Sequence, residues 1–301
     1  MEPPEELVRA GEISARARDY GAGLIRPGES CRRICEAVEE YIAGLGARPA
    51  FPCNISINEV AAHYTPGVDD DCVVPERGLV KLDVGASVEG YIGDTAVTVD
   101  VSGDCRGLVE AAREALEAVM EALRPGIRLY DIGRRVEQVA RRRGFRPIRN
   151  LSGHNIERYT IHAGLVVPNH ADRLSARRRL SPGMTVAIEP FLTDGRGVVV
   201  DSSVVNIYSY TGRVRMELNP LEEEVLEYIV REYKTLPFTP RWLAPRWGRR
   251  VKGVAASLAA KGVLHGYPVL VEAGRGMVAQ FEHTFYVGRD RVYPLTCPDC
   301  P

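Results

Sequence analysis

The sequence predicts an α+β fold built from two related halves, and three observations carry that prediction. The first is an internal repeat: sliding the chain by 98 residues lays Arg26-Pro27-Gly28 over Arg124-Pro125-Gly126, and Ile34, Val38 and Glu39 over Ile132, Val136 and Glu137. Gly46, Arg48 and Pro49 then meet Gly144, Arg146 and Pro147, and after one residue of slippage His63 meets His162. The second is a pair of strand-forming runs, 79–84 and 91–97, around the turn-like Ser87-Val88-Glu89-Gly90. The third is a pair of amphipathic helical patterns placed late in the chain, between two further strand-like runs. The halves, roughly 1–100 and 101–301, are expected to close around one shared site.

In each copy of the repeat, Pro-Gly ends one segment and a helix follows. Ile34, Val38, Tyr41 and Ile42 mark one buried face of the first helix, and Ile132, Val136, Val139 and Ala140 mark that of the second. The runs 79–84 and 91–97 read as an antiparallel hairpin. In the second half the runs 184–191 and 277–287 are rich in strand formers. Between them stand helices expected at about 221–233 and 249–261, with Pro237, Pro240 and Pro245 punctuating a linker.

With 45% hydrophobic and 26% charged residues in 301, composition is that of a globular protein and excludes disordered, collagenous and coiled-coil readings. The 39 basic and 40 acidic residues leave a net charge of -1, so no bulk attraction to nucleic acid or membrane follows. No run approaches the roughly 18 apolar residues of a membrane span, and the acidic start Met1-Glu2-Pro3-Pro4-Glu5-Glu6 is unlike a signal peptide. A soluble, cytoplasmic chain is expected. Seven cysteines, an odd number, fit a reducing compartment. Cys31 and Cys35 stand at helical spacing, while Cys297 and Cys300 form a terminal C-x-x-C that supplies two of the four ligands of a structural zinc and reads as a solvated tail. Two Gln and seven Asn suggest a thermophile, yet 35 Arg against 4 Lys makes codon bias an equal explanation.

Acidic residues inside apolar strands carry the chemistry. A turn centred between Val88 and Glu89 sets Asp83 directly opposite Asp94, about 5 Å apart at Cβ. Two facing carboxylates on a half-buried hairpin repel unless cations lie between them. Glu189, in Ala187-Ile188-Glu189-Pro190-Phe191, and Glu282, in Gln280-Phe281-Glu282-His283-Thr284, are likewise set among apolar neighbours, where an unpaired charge is costly. His154 is a candidate nitrogen ligand. Four carboxylates and one imidazole make an oxygen-rich dinuclear site, suited to Mn, Fe or Co more than to a structural zinc. His63 and His162, at matching points of the repeat, are placed to hydrogen-bond a substrate carbonyl.

These residues lie in motifs that together resemble the methionine aminopeptidases, type 2 branch, of the pita-bread metallopeptidases. The motifs are Phe51-Pro52-Cys53-Asn54-Ile55-Ser56-Ile57-Asn58-Glu59, Ala61-Ala62-His63-Tyr64-Thr65-Pro66, Lys81-Leu82-Asp83-Val84-Gly85, Gly93-Asp94-Thr95-Ala96, Ser152-Gly153-His154, Ile188-Glu189-Pro190-Phe191 and Ala279-Gln280-Phe281-Glu282-His283-Thr284. The resemblance covers nearly the whole chain. It implies a pita-bread fold with two pseudo-symmetric halves, a central antiparallel sheet and a helical insert at 213–266, the catalytic domain being 1–212 with 267–301. It implies that Asp83, Asp94, His154, Glu189 and Glu282 bind two divalent ions (Co, Mn, Fe or Zn), with Asp94 and Glu282 bridging. It implies removal of N-terminal methionine before a small second residue by a metal-bridging hydroxide, with Glu189 shuttling the proton and His63 and His162 contacting substrate. Phe51, Ile161, Phe191 and Tyr267 would line the methionine pocket.

The 93 residues between Glu189 and Glu282, against 11 between Asp83 and Asp94, point to the insert that marks the type 2 branch. Lacking a long charged N-terminal extension, the sequence looks like the short archaeal form. Rival readings are a Xaa-Pro peptidase on the same fold and a non-catalytic pita-bread binding protein. The expected partners are nascent polypeptide N-termini, with no membrane, no specific nucleic acid and a monomeric state. The arginine runs at 141–143 and 177–179 leave room for transient contact with the ribosome, although a solvated helix face is the plainer reading.

Overall fold

The repeat is visible as geometry in the computed structural model, which describes residues 1–297. The first half runs α1 (Glu5–Leu24), α2 (Cys31–Gly44), β1 (Arg48–Pro49), β2 (Asn54–Ile57), β3 (Val60–Ala62), β4 (Leu79–Val88) and β5 (Tyr91–Asp100). The second opens with α3 (Arg106–Met120), α4 (Leu129–Arg142), β6 (Arg146–Pro147), β7 (Ser152–Ile156) and β8 (Val166–Pro168), followed by β9 (Thr185–Ile188), β10 (Phe191–Thr193) and β11 (Val199–Tyr210). Gly28 and Gly46, flanking α2, and Gly126 and Gly144, flanking α4, take φ between 79° and 82°, a left-handed turn that glycine adopts freely. The matched Pro-Gly signals thus mark the same two turns in each half. Gly28 N donates to Val74 O and Gly126 N to Leu180 O, while Ala50 N donates to Gly85 O and Ile148 N to Phe191 O.

β4 and β5 form the expected hairpin, but its register differs. The turn is Glu89-Gly90, both with positive φ (50° and 86°), so Val88 pairs Tyr91, Asp83 pairs Ala96 and Asp94 pairs Gly85. Two consecutive left-handed residues give the tight turn whose twist suits a hairpin, and Gly90 supplies the second of them. Asp83 and Asp94 are therefore diagonal neighbours on one face rather than directly opposed.

In the second half the two strand-like runs are each broken. β9 stops before Glu189-Pro190 and β10 resumes at Phe191; β13 (Val278–Gln280) stops before Phe281-Glu282 and β14 (His283–Val287) resumes, with β15 (Val292–Pro294) at the edge. β9 pairs β14 and β10 pairs β13 in one continuous register, His283 against Ile188 and Gln280 against Phe191. Pro190, which has no N–H, sits in the gap. The central antiparallel sheet structure expected from the resemblance is present as several antiparallel sheets, with Glu282 pairing Ala96 of β5 where the two halves meet.

Between β11 and the antiparallel β12 (Leu264–Glu272) lie α5 (Pro220–Glu232), α6 (Pro240–Trp247) and α7 (Val251–Ala260). α5 begins with a capping box, Asn219 Oδ1 accepting from Glu222 N and the Glu222 carboxylate from Asn219 N. The proline-rich run expected as a linker is instead helix α6: Thr239 caps it, Pro240 occupies its first turn, where no N–H is needed, and Pro245 lies within it. These helices share a core of Val225, Ile229, Phe238, Leu243, Trp247, Val251 and Leu258. Residues 264–266 already belong to β12. Two larger cores, one per half, pack α1 and α2 beneath β4 and α3 and α4 beneath β9 and β10.

Candidate metal centre and substrate cavity

Each candidate ligand is held by its backbone before its side chain is considered. Asp94 N donates to Thr284 Oγ1 and Asp94 O accepts from it, at 2.8 and 2.7 Å. Glu282 exchanges backbone hydrogen bonds with Ala96, and its carbonyl also accepts from Thr95 Oγ1 at 2.7 Å. Glu189 O accepts from the buried Asn169 amide at 3.0 Å. The diagonal placement of Asp83 and Asp94, with side-chain-free Gly85 opposite Asp94, opens more room between the carboxylates than the direct pairing first expected.

The side chains converge. Ligand atoms of Asp94, His154 and Glu282 lie within 4.8 Å of one another, and all three residues are buried. His154 Nε2 is 3.6 Å from Asp94 Oδ2 and 3.5 Å from Glu189 Oε1. Its Nδ1 is 3.4 Å from Asn155 O; a proton there leaves Nε2 as a lone pair facing the carboxylates. Gln280 Nε2 lies 3.4 Å from Glu189 Oε2 and 3.3 Å from Glu282 Oε2, donating toward both.

The electrostatics of this cluster call for cations. Burial pushes the Asp83 carboxyl up to about 7. Burial, then repulsion from Asp83, holds Asp94 well above the carboxylate range; burial and the two aspartates do the same to Glu189, and burial and its three acidic neighbours to Glu282. Asp83 Oδ1 and Asp94 Oδ1 are buried with no hydrogen-bond partner among the described residues. Buried, unpartnered carboxylate oxygens beside a neutral imidazole fit hard divalent ions.

Burial lowers His154 to about 4 and keeps it neutral, and desolvation in the cavity also lowers the half-buried His63 and the more open His162. His63 has a left-handed backbone (φ 64°) and its Nδ1 is 3.2 Å from Pro268 O. With the proton on Nδ1, Nε2 is an acceptor. The Tyr267 ring packs against two histidines, 5.6 Å from His63 and 5.9 Å from His162, and His162 stands edge-on to His154 at 4.4 Å.

A cavity of about 330 Å³ gathers these groups. Asp83, Asp94, His154, Glu189, Glu282, His63, His162, Phe51, Ile161, Phe191 and Tyr267 all line it, so the structure brings together the residues that the sequence pointed to as metal ligands and substrate contacts. Phe51, Ile161 and Leu236 belong to one apolar cluster and Phe191 to another, giving the polar floor apolar walls. Sequence reasoning passed over Asn54, also in the wall, and Gln280; an amide in an apolar strand is as anomalous as the acids that were noticed. It also passed over Lys81, fully buried on β4, whose Nζ donates to Asn58 O and Val278 O at 2.8 and 3.0 Å and whose pKa burial lowers to about 7.

A two-halved α+β fold closed over a carboxylate-rich cavity is the architecture of a metallopeptidase, and the chain belongs to metallopeptidase family M24, whose model matches residues 5–289. Within that family it is similar to methionine aminopeptidases of archaea. It is 44% identical to that of Pyrococcus horikoshii, over 97% of this chain and 99% of the relative, and 45% identical to that of Archaeoglobus fulgidus, over 94% of each. Among solved structures it superposes on a thermophilic Arx1 (TM-score 0.82, 15% identity, 98% of this chain and 91% of that one). It also superposes on the methionine aminopeptidase of Thermotoga maritima (TM-score 0.71, 24% identity, 98% of each chain). These likenesses establish the fold.

Proposed function

We infer that this protein removes the N-terminal methionine from polypeptides. The observation that carries the reading is the full set of five ligand side chains, four buried and Asp83 half-buried, on the floor of an apolar-walled cavity, in a chain 40–45% identical to methionine aminopeptidases over nearly its whole length. Asp83, Asp94, His154, Glu189 and Glu282 would hold the divalent metal. When bound, such ions activate water at neutral pH and polarise a carbonyl.

The chain's own residues do the rest. Phe51, Ile161, Phe191 and Tyr267 enclose an unbranched apolar side chain, which positions the first residue and excludes water from it. His63, with Nε2 free as an acceptor, takes the amide N–H that follows the scissile carbonyl. His162, neutral at working pH, donates to that carbonyl oxygen and strengthens its hold as negative charge develops. Glu189, as a carboxylate whose buried setting raises its affinity for a proton, accepts one from the attacking water and returns it to the leaving amine. The cavity's limited volume favours a small second residue. Nascent chains in the cytoplasm are the substrates this geometry suits; among the described residues no helix is long and apolar enough to cross a membrane.

The test is methionine release from Met-Ala-Ser beside proline-dependent cleavage of Ala-Pro, for the wild type and Asp94→Ala, after chelation and reloading with Mn, Fe or Co. Methionine release that disappears in the variant is expected. Cleavage of Ala-Pro alone would move the chain to the Xaa-Pro branch, and silence on both with every metal would leave a binding role.

A further inference from the structure

Away from the cavity, two thiols sit closer together than any function so far described requires. Cys31 is the first residue of α2, fully buried, and Cys72 lies half-exposed on the segment that leads to β4. Their sulfur atoms are 3.0 Å apart. Cys31 N donates to Cys72 O at 2.9 Å, and the flanking Ser30 and Val73 form an antiparallel bridge, so the two residues are side by side. Facing residues in such a bridge have Cα atoms about 4.5–5.5 Å apart, inside the range a disulfide spans without moving the backbone. Cys35, the neighbour suggested by the sequence spacing, lies a helical turn away, where Cβ atoms are about 5–6 Å apart and a disulfide would distort the helix.

We propose that Cys31 and Cys72 form a redox modification site, which a peroxide converts to a disulfide that fastens the 64–72 segment to α2. The partly exposed Cys72 is the sulfur a peroxide can reach, and Cys31 is the buried resolving thiol. Hydrogen bonding from Cys31 holds the Cys72 thiol down, to about 7, whereas its bond to Cys72 and burial push Cys31 up. The Cys72 thiolate attacks the peroxide O–O bond; an S–O bond forms and hydroxide or alkoxide leaves. Cys31 sulfur then attacks Cys72 sulfur, the S–S bond forms, the S–O bond breaks, and the Cys31 proton departs with the hydroxyl as water. Two thiols and one hydroperoxide give one disulfide, one alcohol or water, and one water.

The segment so fastened starts at Tyr64, next to His63, and is already tied at several points. Tyr64 donates to the Asp70 carboxylate at 2.9 Å, Arg32 Nη2 donates to the carbonyls of Gly67, Val68 and Asp70, and Arg241 Nε donates to Pro66 O. Its backbone therefore already stands in the geometry the disulfide needs, so little ordering entropy is added in the native state. The bond would instead restrict the unfolded chain across the residues from 31 to 72.

The experiment is peroxide titration of the full chain, blocking of residual thiols and a non-reducing peptide map, with hydrogen exchange and thermal melts before and after dithiothreitol. A linked Cys31–Cys72 peptide is expected, together with slower exchange over 64–74 and a melting point higher by roughly 5–10 °C that dithiothreitol reverses. In Cys31→Ser the map should instead show a sulfenic acid at Cys72, trapped by dimedone. Both cysteines remaining alkylatable after peroxide, or disulfides confined to other cysteines, would overturn the proposal. The wild-type map decides the matter even if a variant folds poorly.

Discussion

A carboxylate cut off from water either finds a cation or keeps its proton, and the floor of this cavity holds Asp94, Glu189 and Glu282 buried around one imidazole, with the half-buried Asp83 beside them. Asp94 is central, since it approaches His154 and repels the other three acids. Asp94→Asn is expected to lower methionine release by about 100-fold or more. Its steady-state kinetics under reloaded Mn, Fe or Co supply the check. In the chelated protein a pH signature follows from Asp83, whose folded pKa near 7 stands above the unfolded value of about 3.9. Raised in the folded state, this carboxyl contributes stability that is complete below about pH 4 and is lost as pH climbs to about 7. The lowered histidines run the opposite way below their unfolded value, so the comparison that removes them is wild type against Asp83→Asn, which reads Asp83 together with its repulsion of Asp94, Glu189 and Glu282. The wild type's stability relative to the variant should fall by a few kcal/mol between pH 4 and 7 and level off above, as urea midpoints at each pH would reveal. A difference that does not change with pH would count against the buried, protonated carboxyl.

At the scale of elements, the insert is coupled to the first half by a buried network in which α2 meets α6. Arg241 donates through both Nη atoms to the Glu39 carboxylate at 2.9 and 2.8 Å; Trp242 Nε1 and Cys53 N complete four hydrogen bonds to it. A charge this well paired is tolerated in the interior, but one partner left alone is not. Arg241→Met should destabilise the chain by about 3–5 kcal/mol, read from denaturant unfolding, because it strands Glu39. A loss below 1 kcal/mol would mean that water reaches the carboxylate. Part of this network shows in the sequence and part does not. α2 and α5 declare themselves by the spacing of Val38 and Ile42, and of Val225 and Ile229. The contact of Glu39 with Arg241, residues far apart in the chain, depends on how the insert folds back. α6 is hidden for a local reason: Pro240 and Pro245 read as breakers, yet Pro240 stands in the first helical turn, where no hydrogen bond is lost, and the helix carries Pro245 within it.

For the whole molecule, metal and fold are linked, since ions that bind only the folded chain draw the equilibrium toward it. At a hundred times the dissociation constant, a divalent ion should add about 2.7 kcal/mol of stability at a single site. Melting curves of chelated and reloaded protein test this, and Asp94→Asn should show little of the shift. Equal melting with and without every metal would sink the assignment of the cluster as a metal centre.

What the sequence determined by itself was local. Glycines matched across 98 residues fixed the paired turns, apolar spacing fixed the helix faces, and acids misplaced in apolar strands marked the site. Those signals are legible because turn conformation and side-chain burial are imposed by neighbours a few residues away. The tertiary structure decided the rest. It moved the hairpin turn to Glu89-Gly90, which shifts Asp83 from facing Asp94 to lying diagonal to it, and it broke the strands at Glu189 and Glu282 so that both carboxylates enter one cavity. It also placed Cys72 against Cys31. Register, strand breaks and long-range thiol contact depend on which backbone hydrogen bonds win when the two halves close on each other, and that competition cannot be seen from one segment at a time.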